Sequence, residues 1–208
     1  MKRIYFDIET SPLPETDIAH LAPKFEAPAN YKDPDKIAAN LAEQKAAWLL
    51  RGALSPLTGT VVAIGVIQSG QIFPMLASDE GQNESILIAR FWELYRAERE
   101  RSLFIGFNIK RFDLPFLIKR SWKIGLPLPL GIWAHRYFSD DFLDLLEVWQ
   151  LSNREERISL DSLCKYLGVG AKSGSGADFY KLPVEQQREY LTSDLKLTEL
   201  CANKLLAA

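Results

Sequence analysis

Two carboxylates stand two residues apart in "MKRIYFDIET": Asp7 and Glu9, inside a stretch that otherwise reads as a buried strand. Strand side chains alternate faces, so Tyr5, Asp7 and Glu9 share one face while Ile4, Phe6 and Ile8 share the other. Two like charges so placed repel each other and lose hydration unless something positive sits between them. A metal ion meets that need, and a solvent-facing edge would avoid it. A third carboxylate, Asp113, follows in "FIGFNIKRFDLPFL", where a helix is expected to begin with Pro115 in its first turn. Asp113 is either the N-cap of that helix or a group aimed into the same space as Asp7 and Glu9. A fourth, Asp194, sits in "YLTSDLKL", where i,i+4 spacing puts it on one face with Tyr190, a face continued by Leu197 and Cys201. If that stripe points inward, the aspartate needs a partner such as a shared cation. If Leu191 and Leu195 form the core instead, Asp194 is half solvated.

The elements that must position these groups are legible in outline. Strands are expected at "RIYFDIE", "TVVAIGVIQ", "QIFPML" and "LFIGFN", with a tight hairpin at Ser69–Gly70 between the second and third. Helical periodicity runs through "PDKIAANLAEQKAAWLLRGAL", "NESILIARFWELYRAERE", "LPFLIKRSWKIG", "SLDSLCKYLG" and "VEQQREYLTSDLKLTELCANKLLA". Early strands followed by alternating helices and strands predict an α/β domain, a mixed sheet covered by helices. At 208 residues the chain fits one domain, 1–208, with residues 11–59 read as an insertion packed on its side, between the first strand and the hairpin.

Taken together, "FDIET", "NIKRFD" and "YLTSD" resemble the three exonuclease motifs of the DEDD superfamily, D-x-E, N-x3-F-D and Y-x3-D, in order and in element context. The chain is most similar to stand-alone exonucleases related to the proofreading domain of family-B DNA polymerases. The likeness extends to "DPDKIAANLAEQKAAWL", "LSPLTGTVVAIG" and "SLDSLCKYLGV", nearly the whole chain. It implies the tyrosine subtype, because the histidine subtype would carry His where this chain has Glu189; His20 and His135 both lie outside the motifs. It also implies a ribonuclease H-like fold, a five-stranded mixed sheet with helices on both sides.

In chemistry, the resemblance implies that Asp7, Glu9, Asp113 and Asp194 hold two divalent cations, Mg²⁺ or Mn²⁺. Hard cations prefer carboxylate oxygens, and no His/Cys set is present to suit zinc. Two ions about 4 Å apart would clamp an in-line displacement at phosphorus. By analogy Asp7 bridges both ions, Glu9 and Asp194 complete the nucleophile's site, and Asp113 supports the second. Tyr190 would orient the attacking water, since a phenol is a poor base at neutral pH. Thr10, Asn108 and Phe112 would contact the terminal nucleotide. The implied activity is 3′–5′ hydrolysis of nucleic acid from a free, single-stranded 3′ end, releasing 5′-mononucleotides, with DNA expected over RNA and a role in DNA repair. A catalytically silent nucleic-acid-binding module and a ribonuclease H-like endonuclease are the alternatives. All four carboxylates and the tyrosine are present, against the first; the second and third motifs speak against the other.

The bulk composition constrains partners. With 25 Lys+Arg against 27 Asp+Glu the chain is no polycation, so attraction for nucleic acid must come from a local patch or from bound metal. Lys110, Arg111, Lys119, Arg120 and Lys123, around the helix after Asp113, are candidates to track phosphates. "GVGAKSGSG" lacks the glycine spacing of a phosphate loop and reads as a flexible loop, with Lys172 a further phosphate contact. "SDDFLDLLE" reads as a helix start, and Asp144 within it as an alternative support for the metals. Cys164 and Cys201 form neither a disulfide framework nor a metal knuckle. With no long apolar run, the expectation is a cytoplasmic protein without membrane contact. Because the chain ends soon after its last helix, proofreading is expected to require a separate protein partner, unknown from the residues.

Overall fold

The computed structural model describes residues 1–132, 140–172, 174 and 176–207. His135 and part of the glycine-rich loop, Ser173 and Ser175, lie outside the described residues.

Among the described residues five strands form one sheet in the order β3-β2-β1-β4-β5: β1 (Lys2–Pro12), β2 (Gly59–Gln68), β3 (Gln71–Leu76), β4 (Ser102–Gly106) and β5 (Phe142–Asp144). β1 and β4 are parallel, as are β4 and β5, whereas β2 and β3 are antiparallel, so the sheet is mixed. The β2–β3 hairpin turns at Ser69 and Gly70, both with positive φ (52° and 76°), the twist that a two-residue hairpin favours. The described α-helices are α1 (Glu15–Ile18), α2 (Pro34–Leu50), α3 (Glu84–Glu98), α4 (Asp113–Ile124), α5 (Leu145–Gln150), α6 (Leu160–Leu167) and α7 (Val184–Leu205). The strand β5 departs from the sequence pattern, which shows only a helix start in "SDDFLDLLE". Both descriptions apply to Asp144, which ends the strand and caps α5 by accepting from the Leu146 N–H at 3.0 Å.

Internal contacts divide the chain into two compact units, one of Met1–Glu9 with Val61–Ala208, the other of Thr10–Thr60. In the first, strand alternation sorts the core. Ile4, Phe6 and Ile8 of β1 pack with Phe91, Trp92 and Tyr95 of α3 and with Leu114 and Leu117 of α4. Tyr5, from the opposite face, packs with Leu163 of α6 and with Leu191 and Leu195 of α7. Asp7 and Glu9 share the face of Tyr5, and that face belongs to α7. β1 and β4 approach so closely that a Cβ on Gly106 would lie 2.8 Å from the Phe6 carbonyl oxygen, so only glycine fits there. Cys164 and Cys201 are buried free thiols with Sγ atoms 3.2 Å apart between α6 and α7.

The second unit is built on α2, whose start is fixed by Asp33, accepting from the Asp35 N–H at 3.0 Å, and by Pro34 at the first helical position. Phe25 meets Trp48 edge-on at 6.2 Å, and the Leu13 N–H donates to the Thr58 carbonyl at 2.9 Å. Among the described residues, no helix is long and apolar enough to cross a membrane.

Candidate active site

The middle of β1, the start of α4 and the middle of α7 meet at one cavity of about 290 Å³. Asp7, Glu9, Asn108, Phe112, Asp113, Tyr190 and Asp194 all line it. Ligand oxygens of Asp7, Glu9 and Asp194 lie within 4.8 Å of one another. Three remote segments of sequence therefore contribute to one anionic pocket, which resolves the choice left open for each. The charges on β1 are not an exposed edge: Glu9 is 8% exposed and Asp7 is half-buried. The Leu191–Leu195 stripe is indeed core, yet Asp194 is buried beside it, because α7 is covered on two adjoining faces.

Asp113 does not cap α4. It is the first helical residue; the capping position is Phe112, with no side-chain hydrogen bond. The Asp113 carboxylate instead accepts from the Ile8 N–H at 3.1 Å, which ties α4 to β1 between Asp7 and Glu9. The turn before it depends on Asn108, held at φ +62°, a left-handed conformation that asparagine tolerates better than most residues. Asp144 secures that turn, accepting from the N–H groups of Asn108 (2.7 Å) and Lys110 (3.0 Å). The aspartate expected as an alternative metal support thus holds backbone.

Electrostatics mark the pocket as unfinished by protein groups alone. Burial first, then Asp194, pushes the Asp7 carboxyl up to about 7, against the pull of Lys172. Burial and the neighbouring carboxylates also raise Glu9 and Asp113 well above the ordinary carboxylate range. Asp194 is raised by burial, partly offset by Lys172, whose ammonium pairs with it directly. Burial would lower Lys172, but Asp194 and Tyr190 reverse the sign and keep it charged. Its Nζ also lies 5.3 Å from the Tyr190 ring centroid. The Tyr190 hydroxyl is buried without a hydrogen-bond partner among the described residues, and burial followed by Asp194 raises its pKa, so it remains a neutral phenol. A donor set of carboxylate oxygens around an unpartnered hydroxyl fits a hard divalent cation with bound water.

A family described as a predicted 3′–5′ exonuclease related to the exonuclease domain of PolB matches residues 56–195. The chain belongs to this family. The matched span contains Asn108, Phe112, Asp113, Tyr190 and Asp194; Asp7 and Glu9 precede it. DNA polymerase 2 of Aeropyrum pernix is 25% identical over 171 residues, 73% of this chain and 21% of that protein. A DNA polymerase of Pyrococcus glycovorans is 43% identical over 49 residues, 24% of this chain and 6% of the polymerase. The family-B DNA polymerase structure from Pyrobaculum calidifontis superposes with a TM-score of 0.62 at 20% identity, covering 99% of this chain and 24% of that one. This likeness establishes the fold, the ribonuclease H-like arrangement of a family-B exonuclease domain. The chain spans a quarter or less of the polymerases it matches. Membership of this exonuclease family implies use of a divalent metal and a nucleic-acid substrate.

Other expectations resolve differently. Thr10 belongs to the Thr10–Thr60 unit, where its hydroxyl donates to the Ala53 carbonyl at 2.7 Å. Arg120 is no phosphate contact: it is 5% exposed and forks onto both carboxylate oxygens of Glu84 (2.8 and 2.7 Å). Lys110 pairs with Glu147 at 3.0 Å, while Lys119 and Lys123 are exposed on α4. Ser159 and Leu160, at the start of α6, line the cavity although the sequence pattern assigns them no role. Ser159 carries a signal that could have found it, since it is the N-cap of α6, accepting from the Ser162 N–H, and so fixes where that helix begins.

Proposed function

We propose that this protein is a metal-dependent 3′–5′ exonuclease that removes 5′-mononucleotides from single-stranded 3′ ends, DNA rather than RNA, in the repair of DNA ends in the cytoplasm. One observation carries the reading: carboxylate oxygens of Asp7, Glu9 and Asp194 lie within 4.8 Å of one another, in a cavity where the Tyr190 hydroxyl has no hydrogen-bond partner among the described residues. The names of the polymerase relatives favour DNA.

Asp7, Glu9 and Asp194 would hold one divalent cation, and Asp7 with Asp113 a second, Mg²⁺ or Mn²⁺. Bound there, such ions supply Lewis acidity to the phosphoryl group and lower the pKa of coordinated water. The side chains do the rest. Tyr190, neutral and unpartnered, gives the attacking water a fixed hydrogen-bond partner rather than taking its proton. Lys172 neutralises Asp194 in the resting protein and lies where a phosphate's negative charge would meet it. Asn108 and Phe112 present a polar group and a ring to the terminal nucleotide.

Labelled DNA and RNA oligonucleotides, single-stranded and duplex, with Mg²⁺, Mn²⁺ or chelator, test the proposal. A 5′-labelled DNA strand should shorten as a descending ladder in the presence of metal only. Immediate internal fragments would indicate an endonuclease, and binding without cleavage a silent module.

A further inference from the structure

A second cavity, of about 490 Å³, opens beside the first and shares Phe107 and Asn108 with it. The two also adjoin along the chain, because Ile158 lines one while Ser159 and Leu160 line the other. Phe107, Leu146 and Ile158 give the second cavity an apolar side. Three guanidinium groups, Arg111, Arg154 and Arg157, line it as well, with Glu155 and Glu156 between the last two in sequence. One of those glutamates is engaged, since Glu156 accepts from the Trp149 indole N–H at 2.8 Å. Arg111 is tied to the loop it faces, donating to Gln150 Oε1 (3.2 Å) and to the Arg154 carbonyl (3.4 Å). Arg154 and Arg157 are exposed.

This placement contrasts with the charge around it. The whole chain carries −2, and the adjoining cavity holds four carboxylates, so an incoming strand gains little attraction from either. Guanidinium groups pair with phosphate through two parallel hydrogen bonds, and an apolar wall suits a base or sugar. A free anion would need only the former. A nucleotide uses both.

We propose that this second cavity is the subsite for the nucleotide on the 5′ side of the scissile bond, with its phosphate held by Arg157 and Arg154 and Arg111 bracing the loop that presents them. The inference rests on the exonuclease reading above and makes the substrate class a strand with at least one nucleotide upstream of the one removed. A mononucleotide fills the first cavity alone; an oligonucleotide fills both.

The test uses fluorescence anisotropy of a 5′-labelled tetradeoxynucleotide, with Ca²⁺ present to occupy the carboxylates, across a salt series, comparing the wild type with the double variant Arg154→Gln/Arg157→Gln. Thymidine 5′-monophosphate, as competitor, reports the first cavity separately. The variant should bind the tetranucleotide about 10-fold more weakly, and the slope of log affinity against log salt should fall by ~0.7 for each phosphate no longer neutralised. The ratio of tetranucleotide to mononucleotide affinity should drop by nearly the same factor. Unchanged affinity and slope would overturn the proposal, as would equal weakening for both ligands. Failure of the exonuclease reading looks different: the wild type would then bind in an arginine-dependent way and leave the 3′ end intact in Mg²⁺. Both substituted residues are exposed, and equal melting curves verify that the fold is kept.

Discussion

Asp144 and Asp194 are buried alike, 1% and 3% exposed, and are served in opposite ways. Asp144 accepts from three backbone N–H groups, of Asn108, Lys110 and Leu146, which oppose the upward push of burial on its pKa. Asp194 has the Lys172 ammonium, and around it Asp7 and Glu9 add only more negative charge. The difference separates a carboxylate that builds the fold from one the fold must tolerate. Where backbone donors converge, the charge has a structural use; where carboxylates face each other, a cation is the missing partner.

The contrast breaks most sharply under paired substitutions. Asp7→Ala should lower cleavage on the order of 10³-fold, the several kcal/mol that metal positioning contributes. The same change relieves repulsion, so the metal-free melting temperature should rise by roughly 2–4 °C, about 1 kcal/mol at this length. Calorimetry and the labelled-strand assay measure both; retained cleavage would mean the chemistry lies elsewhere. Asp144→Ala should do the reverse to stability. It strands buried N–H donors and removes the α5 cap, costing about 3–5 kcal/mol, visible in denaturant unfolding. If Asp144→Ala melts like wild type, the division between the two aspartates fails.

Solution pH sharpens the same point without a mutation. The Asp7 carboxyl sits at about 7 in the folded protein against a usual 3.8, and Glu9, Asp113 and Asp194 are raised too. The folded state therefore binds protons more tightly than the unfolded chain. Stability from Asp7 is full below about pH 4 and is lost as pH rises through about 7, and the other three carboxyls act in the same direction. In chelator, the loss should be roughly 2 kcal/mol, discounted because Asp7 is partly exposed. Saturating Mn²⁺ should flatten the curve. A metal-free protein that grows more stable across this window would contradict the crowding.

The sequence made much of this pocket legible because its signals are periodic. Alternation in β1 put Asp7 and Glu9 on the face of Tyr5, and i,i+4 spacing joined Tyr190 to Asp194; neither inference needs a tertiary partner. Whatever depended on a partner was not legible. Arg120 belongs by composition to a basic helix face, yet Glu84, 36 residues away, takes it into the interior. Asp113 looks like a cap because Leu-Pro follows it, yet the Ile8 N–H, 105 residues away, claims its carboxylate. The short β5 was hidden because three strand residues carry too little pattern to outweigh the acidic run around them. Lys172 reads from sequence as a loop phosphate contact, and its pairing with Asp194 is again a long-range fact.

The smallest expected effect probes the space rather than the charge. Gly176 has no side chain, and a Cβ built there would lie 3.4 Å from Glu9 Oε2 and 3.4 Å from the Tyr190 hydroxyl. Those are ordinary van der Waals distances, so Gly176→Ala introduces no clash, and no fold penalty follows from contact. Yet the methyl would fill the gap between the carboxylate and the phenol, where the proposed mechanism puts the attacking water. A displaced water costs orientation, not binding: kcat should fall about 10-fold, a change of about 1.4 kcal/mol, with KM for the oligonucleotide little altered. Asp144→Ala should damage stability and leave this geometric relation untouched until the protein unfolds. A Gly176→Ala protein that cleaves at the wild-type rate would show that the gap between Glu9 and Tyr190 holds nothing the reaction needs, and would move the nucleophile to another side of Asp7.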